Sequence, residues 1–197
     1  MYLRNCWYVA AWDDEIGGEI PFARTILGEP VVLFRDAAGK AAALEDRCCH
    51  RHLPLSLGKV TGDNVRCGYH GLEYDAAGTC VKIPGQSAVP PGARIDSYPV
   101  VERWGWIWIW MGDPALVDDG LIPDWWWMDH PDWNMTRGNG GNPLAIKCNY
   151  QLINDNILDL SHLPYVHADT IGAESILDNP VKTERREDGV LMTRLIP

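Results

Sequence analysis

The sequence has only two phenylalanines among its 197 residues, and it has fewer basic residues than acidic ones. Lys and Arg together number 17 against 27 for Asp and Glu, which gives a formal net charge of −10. A surface that is poor in positive charge disfavours nucleic acid and anionic membranes as partners. The sequence also lacks any apolar run near the roughly 20 residues that a membrane-spanning helix needs. We therefore expect no contact with nucleic acid or membrane.

The N-terminal residues also lack the features of a secretory signal peptide. The apolar patch CWYVAAW runs directly into Asp13, Asp14 and Glu15 without a cleavage site. We therefore expect a cytoplasmic protein, whose six cysteines are thiols or metal ligands rather than disulfides. The composition is that of a globular protein, and the length predicts one domain and part of another.

Short apolar runs between turn residues indicate an antiparallel sheet in the first half of the sequence. Two identical DAAG turns, at residues 36–39 and 75–78, each predict a hairpin. The alternating WGWIWIW of residues 104–110 predicts a strand with its indoles on one face. We divide the sequence into a β domain over residues 1–112, a linker region rich in proline and glycine over 113–143, and the start of a second domain over 144–197.

The strongest chemical signal is a set of two pairs, each with one cysteine and one histidine. Cys48 and His50 form the first pair, and Cys67 and His70 follow after sixteen intervening residues. A zinc finger usually offers its cysteines together and its histidines together to one ion. The interleaved order suits two irons instead, with both cysteines on one and both histidines on the other, as in a Rieske [2Fe–2S] centre. Buried free cysteines and a single zinc ion remain alternatives.

The spacing within the pairs predicts how the side chains project. We expect Cys48 and His50 to lie on one side of an extended segment, and the second pair to lie on a tight turn that the neighbouring glycines allow. Cys49 would then point to the opposite face and would not bind iron. His52 would lie on the same side as the ligands, where it could compete as a ligand or form a hydrogen bond nearby.

Three segments of the sequence resemble a known family. CCHRHLPLS, CGYHGLEYD and ERWGWIWIWMGDP resemble the N-terminal Rieske domain of the Rieske non-haem iron oxygenases, especially the vanillate O-demethylase and dicamba monooxygenase branch. The likeness begins at RNCWYVAAW and covers nearly the whole chain. It departs from that branch at Cys49, where proline is usual, and at His52, where a small residue is usual. The resemblance implies an α+β protein: an all-β Rieske domain followed by the start of an α+β catalytic domain of the helix-grip type.

A second candidate metal site lies in the segment CNYQLINDNILDLSHLPYVHA. Its apolar spacing predicts one long helix over residues 147–162, with Asp159 and His162 on one face. His167 is five residues further on and would face away on a straight helix. We therefore expect Pro164 to kink or end the helix and to bring His167 round.

Two histidines and one carboxylate form the facial triad of non-haem iron oxygenases. The resemblance assigns His162 and His167 to the mononuclear iron, Asp159 to the carboxylate that receives electrons from a neighbouring subunit's cluster histidine, and Asn156 to a place close to the iron. In the family, the third ligand comes from a helix much further along the chain. We therefore expect a subunit that is truncated in its catalytic domain, although one of the six carboxylates after His167 remains an alternative ligand.

The motifs and the resemblance together predict the oxygenase component of a Rieske monooxygenase that uses O2 to O-demethylate a methoxylated aromatic acid such as vanillate. Electrons from NAD(P)H would arrive through a reductase or ferredoxin, and the resemblance implies a head-to-tail homotrimer. Dicamba, the methyl group of toluenesulfonate and ring dihydroxylation by a dioxygenase alpha subunit remain alternatives. A Rieske electron-transfer module without its own chemistry and a zinc-stabilised binding module also remain open.

Overall fold

The computed structural model describes residues 2–134, 144–172, 174–187 and 189–195. The chain divides into two compact units, of which unit 1 ends at residue 135 and unit 2 begins at residue 136. The predicted linker region remains a prediction: its residues 113–134 belong to unit 1, and residues 135–143 lie outside the described residues. In the part of the chain that the structure describes, no helix has the length and apolar character needed to span a membrane.

Unit 1 is built from short strands that are joined by tight turns. In chain order the strands are β1 (Cys6–Trp12), β2 (Phe22–Ile26), β3 (Glu29–Arg35), β4 (Ala41–Glu45), β5 (Lys59–Thr61), β6 (Asn64–Arg66), β7 (Glu73–Tyr74), β8 (Cys80–Lys82), β9 (Ser97–Tyr98), β10 (Val100–Arg103) and β11 (Trp106–Met111). Single 3-10 turns lie at Leu55–Leu57, Pro114–Leu116, Asp119–Leu121 and Trp126–Met128.

Within residues 2–134 the strands pair into three antiparallel sheets, with the orders β1-β11-β10, β2-β3-β4-β9 and β5-β6-β7-β8. Both DAAG segments join antiparallel neighbours, β3 to β4 and β7 to β8, so both predicted hairpins are confirmed. The first cysteine–histidine pair follows β4, and the second lies between β6 and β7. The second and third sheets therefore position the candidate cluster residues together.

The tryptophan-rich segment, residues 104–110, is a turn followed by a strand rather than a strand throughout. Trp104 and Gly105 form its turn, with positive φ angles of 62° and 72°, and β11 begins only after them. Within β11, Trp108 and Trp110 pack into one apolar cluster, whereas the two isoleucines pack into another. The predicted alternation of side chains is confirmed for β11, and the first two residues of the motif form the turn that precedes this strand.

Unit 2 combines short helices with a hairpin. Its described elements are α1 (Tyr150–Leu158), a 3-10 turn (Leu160–His162), α2 (Leu163–Val166), α3 (Ser175–Asp178), and the antiparallel strands β12 (Lys182–Arg185) and β13 (Val190–Thr193). The predicted continuous helix over 147–162 is wrong, because α1 ends at Leu158 and Asp159 has φ −107° and ψ 94°. The Asp159 side chain instead accepts a hydrogen bond from the N–H of Ser161 and begins the next turn.

Candidate functional site

The first cluster loop comprises residues 48–53. The N–H of Cys48 donates to the carbonyl of Leu53 at 2.9 Å, and the N–H of His52 donates to the carbonyl of Cys48 at 2.9 Å. These bonds close a turn, so the predicted extended segment is wrong. His52 has a positive φ of 58°, and its Nδ1 lies 3.0 Å from the guanidinium of Arg47. The left-handed backbone explains why a small residue suits this position.

The second cluster loop, residues 67–72, repeats this design. The N–H of Cys67 donates to the carbonyl of Leu72 at 2.8 Å, and the N–H of Gly71 donates to the carbonyl of Cys67 at 3.1 Å. Gly71 has a positive φ of 75° and thus takes the place that His52 has in the first cluster loop. The predicted tight turn is confirmed.

The two loops bring like side chains together. The rings of His50 and His70 are exposed, and their centroids lie 4.6 Å apart. Cys48 and Cys67 are each only 2% exposed. Burial raises the pKa of the Cys67 thiol, and a hydrogen bond with Cys48 acts in the same direction. Two thiols inside and two imidazoles outside are the donor set of a Rieske cluster, in which each iron takes one kind of protein ligand.

The Tyr74 hydroxyl lies between two neighbouring thiols, 3.2 Å from the Sγ of Cys48 and 3.2 Å from the Sγ of Cys49. Cys49 therefore does not point to the opposite face, which corrects the prediction from strand alternation. Burial raises the pKa of Tyr74 well above its usual value, so the hydroxyl keeps its proton as a donor. Sequence reasoning missed Tyr74 because it reaches the first cluster loop from β7, across a distance in sequence of 25 residues.

The two histidines of unit 2 also come together. The ring centroids of His162 and His167 lie 5.4 Å apart. Helix α2 lies between them and has Pro164 in its first turn, where proline is tolerated. The prediction that Pro164 interrupts a helix is therefore wrong, since the break lies at Asp159 and a separate short helix joins the two histidines.

A backbone carbonyl holds the ring of His162, and a backbone hydrogen bond fixes the main chain at His167. Nδ1 of His162 lies 2.6 Å from the carbonyl oxygen of Asp159. Because a carbonyl can only accept, Nδ1 is the donor in this hydrogen bond, and Nε2 is the nitrogen left for a metal, as in a metal-binding histidine. The carbonyl of His167 accepts from the N–H of Gly172 at 2.8 Å. A Cβ on Gly172 would lie 2.3 Å from the carbonyl oxygen of Leu163, so the sequence reasoning missed a glycine that this packing requires.

The remaining two predicted residues lie just before this pair. The carboxylate of Asp159 accepts from the N–H and hydroxyl of Ser161 at 3.0 and 2.5 Å, and these hydrogen bonds lower its pKa. Asp159 is thus an ionised group whose own carbonyl holds the ring of His162. Asn156 lies on α1 with its side chain exposed, about one turn earlier. Within the described ranges, no group of three or more His, Cys, Asp or Glu side chains is placed to hold a single metal ion.

Two family descriptions match the chain. Residues 6–99 match the Rieske [2Fe-2S] domain, and residues 146–197 match the vanillate O-demethylase oxygenase C-terminal domain. The first match contains both cluster loops, and the second contains His162 and His167.

Curated relatives match nearly all of this chain. The iron-sulfur subunit of the toluene-4-sulfonate monooxygenase system of Comamonas testosteroni is 51% identical over 189 residues, which cover 96% of this chain and 53% of the relative. The vanillate O-demethylase oxygenase subunit of a Pseudomonas species is 44% identical over 194 residues, covering 98% and 53%. The chain spans about half the length of these curated relatives.

A crystal structure of dicamba monooxygenase bound to dicamba superposes with a TM-score of 0.88 and 41% identity, covering 97% of this chain and 57% of that one. Another crystal structure of dicamba monooxygenase contains non-haem iron and dicamba. These matches confirm the α+β fold and identify the family's cofactors as a Rieske [2Fe–2S] cluster and a non-haem iron. The chain therefore belongs to the Rieske non-haem iron oxygenases, in the branch of the vanillate, dicamba and toluenesulfonate oxygenase subunits.

Proposed function

We propose that this chain is part of the oxygenase component of a Rieske aromatic monooxygenase. The observation that carries the proposal is the presence of two separate ligand sets in one chain. Unit 1 has the paired cluster loops, and unit 2 has His162 and His167 with ring centroids 5.4 Å apart. An electron carrier needs only the first set, so the second favours an enzyme over an electron-transfer module.

We assign Cys48, His50, Cys67 and His70 as the ligands of the [2Fe–2S] cluster. The buried thiols would bind one iron and the exposed imidazoles the other, and the bound cluster supplies single electrons. Because the imidazoles are exposed, they form the edge through which electrons reach a partner. The proposed electron donor is a reductase or ferredoxin, and the family resemblance supports a homotrimer.

We assign His162 and His167 as two ligands of a mononuclear iron, which supplies open positions for O2 and substrate in this class of enzyme. The hydrogen bond from Nδ1 of His162 to the Asp159 carbonyl leaves Nε2 free to bind. Asp159 is proposed as the carboxylate on the electron path, and Asn156 as a residue close to the iron. The pKa of Asp159 is lowered, which keeps this carboxylate ionised at neutral pH.

The proposed substrate is a methoxylated aromatic acid such as vanillate, supported by the 44% identity to a vanillate O-demethylase subunit. Oxidation of the methyl carbon by O2, two electrons and two protons gives a hemiacetal and water. The hemiacetal then collapses to a phenol and formaldehyde. The two electrons come from NAD(P)H through the reductase.

A second candidate substrate is an aryl sulfonate that carries a methyl group. The 51% identity to the toluene-4-sulfonate monooxygenase subunit favours it. Insertion of one oxygen atom into the methyl C–H bond would give a benzylic alcohol, with the second oxygen atom leaving as water. This reaction consumes the same two electrons and two protons but releases no formaldehyde.

The first test of the proposal is iron content together with electron paramagnetic resonance (EPR) of the anaerobically purified chain after reduction by dithionite. We expect a Rieske-type signal and about three irons per chain, two in the cluster and one in unit 2, whose third ligand would come from a carboxylate after His167 or from a partner subunit. Two irons with that signal would remove the mononuclear site from the proposal and leave an electron-transfer module. Absence of a Rieske-type signal would overturn the cluster assignment.

The substrate is tested by a single turnover, which needs no reductase. The iron-loaded chain is reduced, freed of dithionite and mixed with O2 and either vanillate or toluene-4-sulfonate. Formaldehyde from vanillate would support O-demethylation, and a benzylic alcohol from toluene-4-sulfonate would support the second candidate. Release of neither product, with both metal sites filled, would overturn both substrates.

A further inference from the structure

Asp46 is a buried carboxylate two residues before the first cluster ligand, and both of its oxygens face one serine. The N–H of Ser56 donates to Oδ1 at 2.7 Å, and the hydroxyl of Ser56 donates to Oδ2 at 2.6 Å. Asp46 is 8% exposed, and its own N–H donates to the carbonyl of Pro30 at 3.0 Å. Hydrogen bonds to a charged acceptor are shorter and stronger than those between neutral groups. Asp46 thus joins β3, the start of the first cluster loop and Ser56.

Ser56 belongs to the 3-10 turn Leu55–Leu57, which we call the bridging turn. The second cluster loop packs closely on it: a Cβ on Gly68 would lie 2.8 Å from the carbonyl oxygen of Leu57. Gly58 ends the bridging turn and packs on Arg66, the residue before the second cluster loop. A Cβ on Gly58 would lie only 2.0 Å from the carbonyl oxygen of Arg66. The bridging turn therefore contacts the backbone that carries the second pair of ligands.

The bridging turn is also fixed from inside. Leu55 is fully buried in the apolar cluster that contains Cys48 and Cys67. All six cysteines are free, so no disulfide joins the two loops. The bridging turn makes hydrogen bonds on one side and close contacts of glycine backbone on the other. These non-covalent contacts are therefore available to set the separation of the two cluster loops.

We infer that Asp46 and Ser56 are positioning residues, whose paired hydrogen bonds hold the first cluster loop to the bridging turn and so fix it relative to the second. The inference rests on the proposed cluster assignment. A [2Fe–2S] cluster has a fixed span between its irons, and the groups that orient metal ligands contribute strongly to metal retention. Loss of one of these hydrogen bonds would leave a buried carboxylate oxygen without its partner and loosen the first loop.

The test compares Ser56→Ala, which removes a single hydroxyl, with Ser56→Thr, which restores it, and with Ser87→Ala as a matched control on an exposed loop. Near-UV circular dichroism establishes that each variant is folded. Asp46→Asn is a second variant, because it removes acceptor capacity from the other side of the pair. Amide hydrogen exchange is measured on the metal-free full chain, and cluster release to a chelator and EPR line width are measured on the loaded chain.

In Ser56→Ala we expect amides of residues 48–58 to exchange about tenfold faster, cluster release to be about tenfold faster, and the EPR lines to broaden. Ser56→Thr should return all three to wild-type values, and Ser87→Ala should leave them unchanged. Unchanged exchange and release in Ser56→Ala, or an equal change of exchange throughout unit 1, would overturn the inference. If the wild-type chain takes up no Rieske-type cluster, the proposed function fails, whereas exchange in the metal-free chain still decides whether the pair holds the loop.

Discussion

At the scale of single residues, the hydroxyl of Tyr74 directly contacts the sulfur of a proposed cluster ligand. Its hydroxyl lies 3.2 Å from Sγ of Cys48 and would donate to that sulfur once it binds iron as a thiolate. Hydrogen bonds to cluster sulfurs are among the features that set the reduction potential, because they stabilise the more negative, reduced state. We expect Tyr74→Phe to lower the reduction potential of the cluster while its ligands stay the same, as measured by a redox titration followed by EPR.

The control for Tyr74 is another tyrosine of unit 1. The hydroxyl of Tyr98 donates to a carboxylate oxygen of Glu29 at 3.1 Å, so Tyr98→Phe removes a hydrogen bond that is not made to a proposed ligand. The cluster in Tyr98→Phe should therefore have the same reduction potential as the cluster in the wild type. Equal potentials in all three proteins would show that the Tyr74 hydroxyl does not act on the cluster.

His52 is a residue whose side chain does not suit its backbone. Its φ of 58° lies in the left-handed region, where a residue with a Cβ is disfavoured by about 1–2 kcal/mol. Glycine removes this cost but adds flexibility to the unfolded chain, which offsets about 0.5–1 kcal/mol. We therefore expect His52→Gly to raise the free energy of unfolding by about 0.5–1 kcal/mol, measured by urea denaturation with tryptophan fluorescence.

The opposite change in the second cluster loop is the matched comparison. Gly71 has a φ of 75°, and a Cβ there would also lie 3.0 Å from Cγ of Pro84. Gly71→Ala should therefore lower the free energy of unfolding by at least about 1 kcal/mol. A less stable His52→Gly would mean that the contact with Arg47 outweighs the backbone strain.

At the scale of elements, the sequence predicts local features and misses those that depend on distant partners. The two DAAG hairpins and the turn of the second cluster loop were predictable because turn residues and ligand spacing are local signals. The break at Asp159 was missed because apolar periodicity continues through it, although aspartate is itself a favoured residue for the N-cap of a new helical turn. Pairing of β1 with β11 had no such local signal, since it joins the two ends of unit 1.

The sheet β5-β6-β7-β8 contains a buried carboxylate whose charge depends on pH. Burial acts to raise the pKa of Glu73, but hydrogen bonds and charge from Lys82 and Arg66 outweigh it and lower the pKa. A lowered folded-state pKa means that the ionised carboxylate stabilises the fold above its usual pKa of about 4.3, and that this stability is lost as pH falls through the lower, folded-state pKa. We expect the free energy of unfolding of unit 1 to fall in that acid range.

Glu73→Gln isolates this contribution. The Glu73 side chain is 7% exposed, whereas those of Arg66 and Lys82 are 40% and 59% exposed, so water can hydrate them when the carboxylate is lost. We therefore expect the free energy of unfolding to be lower by about 2 kcal/mol at pH 7. It should also fall less steeply toward pH 3 than in the wild type, and urea denaturation measures both effects. Glu19→Gln, which removes an exposed ion pair with Lys59, should cost less than about 1 kcal/mol. If Glu73→Gln and the wild type lose stability equally in acid, the loss does not come from protonation of Glu73.

At the scale of the whole molecule, the family explains why two chemically different sites occur in one chain. The ligand types and their spacing predicted the cluster site, whereas the family resemblance assigned the two histidines of unit 2 to an iron. The sequence did not predict how the rings of unit 2 meet, because that depends on a separate short helix and on the close packing of Gly172. Each candidate ligand set lies within one of the two compact units.

That division predicts that each metal site can be removed separately. Since all ten tryptophans lie in unit 1, their fluorescence monitors its unfolding. We expect His162→Ala to lose about one iron per chain while the Rieske-type EPR signal and unit 1 unfolding stay unchanged. His50→Ala should lose the signal and about two irons. His130→Ala, which changes a half-buried histidine outside both pairs, should keep all the iron. Loss of the Rieske-type signal in His162→Ala would contradict separate sites, because unit 2 would then be needed to hold the cluster.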